Sequence, residues 1–376
     1  MYSIDEREID AIRRVFAKKK LLRYQADGSG ECETFEKEFS SHIGSSHALL
    51  VTSGTNALIA ALEAAGVSEG DEVILPAYTF VATAAAVLHV GAKPVIANVD
   101  ETLGLSPQEV ASKITPRTKA LIPVHMDGLA SDMEGLTTLA SKHSLLVIED
   151  VAQAIGGSYG NKRLGTWGDY GCFSLNENKN IGAGEGGIVV SKTPESAEKV
   201  LRAHDVSAQF NPIAKKSLTS TVTTLGGSMR VSEITGAIMR VQLERLEGIL
   251  EGLRSRKNLF KEILRGNNCA QVIVGNDEKG DCASSLHLLF PSTEVVAFAV
   301  RKLLAEGLPF IPATSRPAHA SWKWASLLGP QNYSAAEFLP SIDILTRTLK
   351  MEIDLHQDLA ATEAAARQIS KVLDSV

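Results

Sequence analysis

Cysteine, aromatic residues, excess positive charge and long apolar runs are all scarce in this chain, and each scarcity excludes something. Four of the 376 residues are cysteine, at positions 32, 172, 269 and 282. No two form a C-x-x-C pair and none has a histidine at metal-ligand spacing, so they make neither a disulfide framework nor a zinc site. The most apolar stretch, Phe80 to Ala97, is broken by His89, Gly91, Lys93 and Pro94 and is too interrupted to span a bilayer. The first residues, MYSIDEREIDAIRRVF, carry charge throughout and read as an amphipathic helix, not a signal peptide. A cytoplasmic location is expected, with no membrane and no metal. The net charge of −6 argues against a protein that wraps a nucleic acid. Aromatics make up 5%. What is present is enough apolar material to fold: 44% hydrophobic against 22% charged residues excludes disorder.

No internal repeat or low-complexity tract appears. Helical periodicity marks Ile4–Lys19 and Glu33–Ile43. Short apolar strands then alternate with helices. Strands are predicted at Ala48–Val51, Glu72–Leu75, Ala120–Val124, Leu145–Glu149, Gly171–Ser174 and Gly187–Ser191, with PVIANV as a further one. Strands that are continuous apolar runs imply a sheet covered on both faces. The expectation is a mostly parallel α/β domain, in which ligands collect at the carboxyl ends of strands. Ser232–Leu264 reads as one long helix. Beyond Asn267 the strands VIVG and HLLFPS, a helix at Val295–Glu306, a loop rich in Pro, Trp and Tyr and a last helix at Leu359–Leu373 describe a smaller α+β domain. The division expected is 1–245 and 246–376.

Three features carry chemistry. Thr52-Ser53-Gly54-Thr55 lies at a strand-to-helix turn, where free N–H groups and the helix dipole suit a phosphate. A plain N-cap fits the same residues. Asp150 ends a buried strand, with Gln153 three residues on. A buried carboxylate needs a cation or a donor; a protonated ring nitrogen and a helix cap both answer. Lys179 sits in a loop between two core strands, followed by Gly182, Gly184, Gly186 and Gly187. Partial desolvation would lower its pKa and make the amine nucleophilic, as Schiff-base chemistry requires; a surface lysine is the plainer alternative. The glycine run leads into a strand, not a helix, and lacks G-K-[ST], so it is neither a dinucleotide fingerprint nor a P-loop.

In order, TSGTNAL, PAYTFVATAAAV, VIEDVAQAIGGSY, GTWGDYGCFSLNENKNIGAGEGG and GGSMRVSEITGAIMRVQLERL resemble the motifs of the DegT-type sugar aminotransferases, pyridoxal-phosphate enzymes of fold type I. The resemblance runs from about Cys32 to Leu246, with a weaker echo at Leu339–Asp354. It implies a large domain with a mostly parallel seven-stranded sheet between helices, followed by a smaller α+β domain. It implies pyridoxal 5'-phosphate linked to Lys179, with Asp150 on the pyridine nitrogen and Gln153 near the phenolic oxygen. Phe80 matches the aromatic that stacks on the ring, and Ser53, Gly54, Thr55 and Ser174 match phosphate contacts.

The implied reaction moves an amino group from glutamate or glutamine to a keto- or aldehydo-sugar, for a cell-surface polysaccharide or a secondary metabolite. The acceptor is nucleotide-linked or a free octulosonate-type acid; the stretch DETLGLSPQEVASKITPRTKALIPVHMDG and the tail with Trp322 and Trp324 look most like the branch acting on eight-carbon keto-sugar acids. A homodimer with active sites at its interface is implied. Arg230 is a candidate for the donor's carboxylate or for an interface ion pair, and His319 for the sugar or for small-domain packing. Two positions depart from the family pattern: Asn176 stands where a histidine is common, and Ser228 where an asparagine reaches the partner's phosphate. A dehydratase of the same family is an alternative, but that branch carries histidine at the Schiff-base position. A catalytically retired regulator is a second alternative, and retention of Lys179, Asp150 and Gln153 together argues against it.

Overall fold

The computed structural model describes residues 3–25, 28–219, 226–329 and 334–376. Two helices open it. α1 (Glu6–Lys18) starts at Asp5, whose side chain caps the first turn while Glu8 accepts from the Asp5 N–H at 2.9 Å. α2 (Glu31–Ile43) buries Phe35, Phe39 and Ile43 on one face.

Strands and helices then alternate: β1 (His47–Val51), α3 (Gly54–Ala64), β2 (Glu72–Pro76), α4 (Ala82–His89), β3 (Lys93–Ala97), α5 (Pro107–Lys113), β4 (Thr118–Leu121), α6 (Met133–Lys142) and β5 (Leu146–Asp150). A small hairpin of β6 (Ser158–Tyr159) and β7 (Lys162–Arg163) precedes β8 (Tyr170–Ser174), β9 (Gly187–Ser191) and α7 (Pro194–His204). Seven of these strands form one sheet in the order β1-β9-β8-β5-β4-β2-β3. The run from β3 to β8 is parallel, while β9 runs against both β8 and β1. The mostly parallel α/β sheet expected from the apolar runs is what forms, and all five residues of β2 are buried. β9 follows β8 through the glycine-rich loop and pairs with it antiparallel.

α8 (Glu233–Leu264) runs unbroken through residue 245 and buries Leu243, Leu246, Leu250 and Leu253. It packs on α1, on α2 and on the last helix of the chain. Where it meets α2, a Cβ at Gly236 would stand 2.4 Å from the Cys32 backbone nitrogen, so only glycine lets the two helices touch. Beyond it come β10 (Gln271–Val272), β11 (Ser285–Leu289), α9 (Thr293–Ala305), β12 (Ile311–Pro312), α10 (Ala325–Leu328), α11 (Leu339–Thr346), β13 (Thr348–Glu352) and α12 (Leu359–Leu373). The four strands form an antiparallel sheet ordered β10-β11-β13-β12. The loop rich in Pro, Trp and Tyr holds single 3-10 turns and α10; its Pro330 and Tyr333 lie outside the described residues. Among the described residues no helix is long and apolar enough to cross a membrane.

One buried group makes stability depend on acid. His204, at the end of α7, is fully buried, and neither ring nitrogen has a hydrogen-bond partner among the described residues. Burial, helped by Arg23 and Arg230 and opposed by Asp205, pushes its pKa down to about 3. Between the ordinary histidine value and that one the unfolded chain takes up a proton that the folded chain refuses. Stability is therefore lost as pH falls from 6.5 toward 3, by about 1.4 kcal/mol for each pH unit. His204→Phe should flatten that limb of a plot of urea midpoint against pH. An unchanged slope across the window would contradict this.

Candidate active site

The carboxyl ends of β1, β2, β5 and β8 open on one cavity of about 710 Å³. β1 delivers Ser53, Gly54 and Thr55 at the start of α3. Ser53 is the helix N-cap, accepting from the Asn56 N–H at 3.1 Å. Ser53, Gly54 and Thr55 line the cavity, and the first turn of a helix leaves N–H groups without intrahelical partners. The N-cap role read for this turn in the sequence is thus filled by Ser53. The turn lies hard against its neighbours: a Cβ on Gly54 would be 2.9 Å from the Ser174 Cβ, and one on Gly187 only 2.3 Å from the Ser53 carbonyl oxygen.

β5 ends on Asp150, which alternation along the strand turns to the cavity while Glu149 points the other way and accepts from the Gly165, Trp167 and Gly168 N–H groups. Asp150 is buried. It accepts from the Thr83 hydroxyl at 2.9 Å and the Ala152 N–H at 3.1 Å. Burial raises its pKa despite those donors and the positive charge of Lys179. The site thus holds a carboxylate that no cation contacts among the described residues.

β8 ends at Ser174, and the return loop to β9 carries Lys179 back over the same edge. Burial pulls the Lys179 amine below the ordinary lysine value; Asp150 and Asp127 oppose this and Arg316 adds to it. Gln153 lines the cavity after β5. Phe80, after β2, is exposed to it, and the ring of His319 meets Phe80 edge-on at 5.7 Å. His319 is pushed down to about 4 by burial and by Lys350.

The structure brings Ser53, Gly54, Thr55, Phe80, Asp150, Gln153, Ser174, Lys179 and His319 together around one space. It does not bring Ser228 or Arg230 there. Ser228 is exposed, and the Arg230 guanidinium is held by the Asp205 carboxylate, which also accepts from the Tyr24 hydroxyl at 2.6 Å. Within the chain Arg230 is thus ion-paired with Asp205. Among the lining residues outside the sequence-based site are Thr83, Asp127, Arg316 and Lys350. Arg316 has a local signal, three positions before His319. Asp127 and Lys350 have none.

The lining matches the chemistry of pyridoxal phosphate: a helix N-terminus with hydroxyls for the phosphate, an uncompensated carboxylate for a ring cation, a desolvated amine for the aldehyde and an aromatic face for the ring.

Known proteins resemble this chain in sequence and in fold. A model of the DegT/DnrJ/EryC1/StrS aminotransferase family matches residues 2–359. UDP-N-acetyl-3-dehydro-alpha-D-glucosamine 3-aminotransferase of Acidithiobacillus ferrooxidans is 41% identical over 235 residues, 61% of either chain. The match thus spans less than two thirds of that relative. 3-Amino-5-hydroxybenzoate synthase of Amycolatopsis mediterranei is 34% identical over 299 residues, 76% of this chain and 74% of that one. The crystal structure of a 3-amino-5-hydroxybenzoic acid synthase superposes over 100% of this chain and 98% of its own, with a TM-score of 0.86 and 28% identity.

Proposed function

The chain belongs to the DegT/DnrJ/EryC1/StrS aminotransferase family, and on that premise we propose that it is a pyridoxal-phosphate-dependent transaminase that moves an amino group from glutamate or glutamine to a keto- or aldehydo-sugar. One observation carries the reading: a desolvated lysine, a buried carboxylate and a helix N-terminus share one cavity. When bound, the cofactor supplies the electron sink for negative charge at the donor's α-carbon. Ser53, Gly54, Thr55 and Ser174 hold its phosphate. Asp150 keeps its ring nitrogen protonated, Phe80 covers its ring, and Gln153 donates to its phenolic oxygen. Lys179 tethers it covalently at rest. Once displaced by the donor, the Lys179 Nζ would take up the α-carbon proton and return it to the carbon on the far side of the transferred nitrogen. A lowered pKa keeps more of that amine unprotonated near neutrality.

In this reading Arg316, not Arg230, meets the donor's carboxylate. Its guanidinium lines the cavity, and its only ion pair among the described residues, with Glu352 at 3.5 Å, joins two exposed groups. The acceptor is a nucleotide-linked sugar, as the name of the Acidithiobacillus relative suggests, or a free octulosonate-type acid. The protein acts as a homodimer, and the exposed Ser228 of one protomer donates to the phosphate held by its partner.

The test is a half-reaction. The cofactor-loaded protein mixed with glutamate, without acceptor, should lose its visible absorption and release one equivalent of 2-oxoglutarate. A retired regulator would bind the cofactor and then ignore the donor. A spectrum that responds to no amino acid ends the transaminase reading.

A further inference from the structure

The cavity wall contains an ion pair that the reading above does not use. Asp127 lies in the turn between β4 and α6 with φ 52° and ψ 24°, the left-handed region. That conformation is disfavoured for a residue with a side chain, with aspartate among the least penalised. Its buried carboxylate takes donors from three other segments. Lys350 Nζ lies 2.9 and 3.0 Å from the two oxygens, and the Tyr78 hydroxyl and His287 Nε2 each lie 3.0 Å from Oδ2. His287 and Lys350 are directly opposed residues on β11 and β13, so neighbouring strands of the small sheet grip one side chain on the wall of the large one. Burial would raise the Asp127 pKa, but Lys350 and His287 override it and hold the carboxyl well below the usual range. Four donor contacts on one carboxylate leave the turn little freedom.

The backbone N–H of Asp127 donates to Gln153 Oε1 at 3.0 Å. A backbone N–H has no acceptor capacity, so this contact fixes which end of the amide is which. The oxygen faces Asp127, and the NH2 group has no partner among the described residues. Gln153 itself lines the cavity.

We infer that Asp127 is a positioning residue: clamped by Lys350, Tyr78 and His287, it occupies the Gln153 amide oxygen with its own N–H and so turns the Gln153 NH2 into the cavity as a fixed donor to an anionic oxygen. The inference rests on the proposed function, under which that oxygen is the cofactor's phenolic one. A donor there favours the state in which the oxygen carries most charge, which is the state after the lysine–cofactor nitrogen has lost its proton. Losing the donor should therefore raise the pH at which the visible band of the loaded protein titrates. The titratable groups that line the cavity with Lys179 are Asp127, Asp150, Glu177, Glu185, Arg316, His319, Lys350, Glu352 and Asp354, so a variant that changes net charge would move the titration by itself.

The double variant Asp127→Asn/Lys350→Met avoids this. It removes one charge of each sign, leaves no buried ion unpaired, and keeps a residue that tolerates the left-handed turn. In the loaded full-length protein its titration should move upward by about one pH unit, the size expected for one hydrogen bond to a charged group. Gln153→Leu should move it equally, and adding Gln153→Leu to the double variant should add nothing, because both act through one hydrogen bond. Tyr78→Phe removes one donor from Asp127, keeps the ring, and should move the titration the same way by less. It serves if the double variant fails to melt cooperatively. A wild-type band with variants at Asp127, Lys350 and Tyr78 that titrate as wild type overturns the inference alone, as does a Gln153→Leu variant that titrates as wild type. A wild-type protein with no visible band after incubation with pyridoxal phosphate overturns the functional reading first, and the inference with it.

Discussion

Lys179→Ala should lower turnover by about 10⁴-fold or more while the fold survives. Two roles end together, the covalent tether and the proton carrier, and general acid–base catalysis alone is worth about 10²–10⁴-fold. The fold should be indifferent because Lys179 belongs to a loop, and burial disfavours its charged form. Its backbone stays tied through the Lys179 N–H to the Asn176 carbonyl at 3.0 Å, a contact that alanine keeps. Wild type and variant should melt together without cofactor. With pyridoxal phosphate, only the wild type should form a visible band that survives gel filtration. A stable band in the variant would mean that another amine holds the cofactor and that the assignment of Lys179 is wrong. The net −6 is no obstacle to this anionic ligand, because under the proposed function the α3 N-terminus would meet the phosphate with N–H groups and hydroxyls that no count of charges registers.

The parts of this site that can be read from the sequence are those whose signal is local. Ser53 stands at a strand-to-helix turn, Asp150 at the end of an apolar run and Lys179 before a string of glycines. In a parallel sheet, position at a strand's carboxyl end already implies a place on the ligand edge. The unread parts depend on contacts between distant segments. Lys350 lies in Thr348–Glu352, where alternation puts Leu349 and Met351 on one face. A lysine on the other face of such a strand ordinarily reads as solvent-exposed, yet here it is buried against Asp127, 223 positions away. Nothing near residue 350 announces that pairing. Arg230 fails in the opposite sense. It is a plausible carboxylate binder by type, but Asp205 already holds it. The same limit explains the fold: Leu359–Leu373 is legible as a lone amphipathic helix, whereas the antiparallel setting of β9 comes from which neighbours it finds.

Asp150→Asn should change stability and activity in opposite directions. In the ligand-free chain burial raises the Asp150 pKa above its ordinary value of 3.8. Between those two values the folded chain holds a proton that the unfolded chain has released, so stability falls as pH rises through the window. At pH 7 the wild type therefore carries the cost of a buried carboxylate without a cation. Asparagine removes that cost at nearly equal volume. Its oxygen still accepts from the Ala152 N–H, and its NH2 can donate to the Thr83 hydroxyl, which turns its own proton to the Thr79 oxygen 2.7 Å away. The ligand-free variant should melt higher than wild type at pH 7, and the gap should close as pH falls toward 3.8. With cofactor the sign reverses. Breaking a buried ion pair costs about 3–5 kcal/mol, which at about 1.4 kcal/mol per decade is roughly 10²–10³-fold in turnover. A protein that gains melting temperature empty and loses rate loaded is what a pre-formed half of an ion pair requires. A ligand-free variant that melts below wild type at neutral pH would show that Asp150 already has its partner within the chain, and the pairing with a ring nitrogen would lose its physical basis.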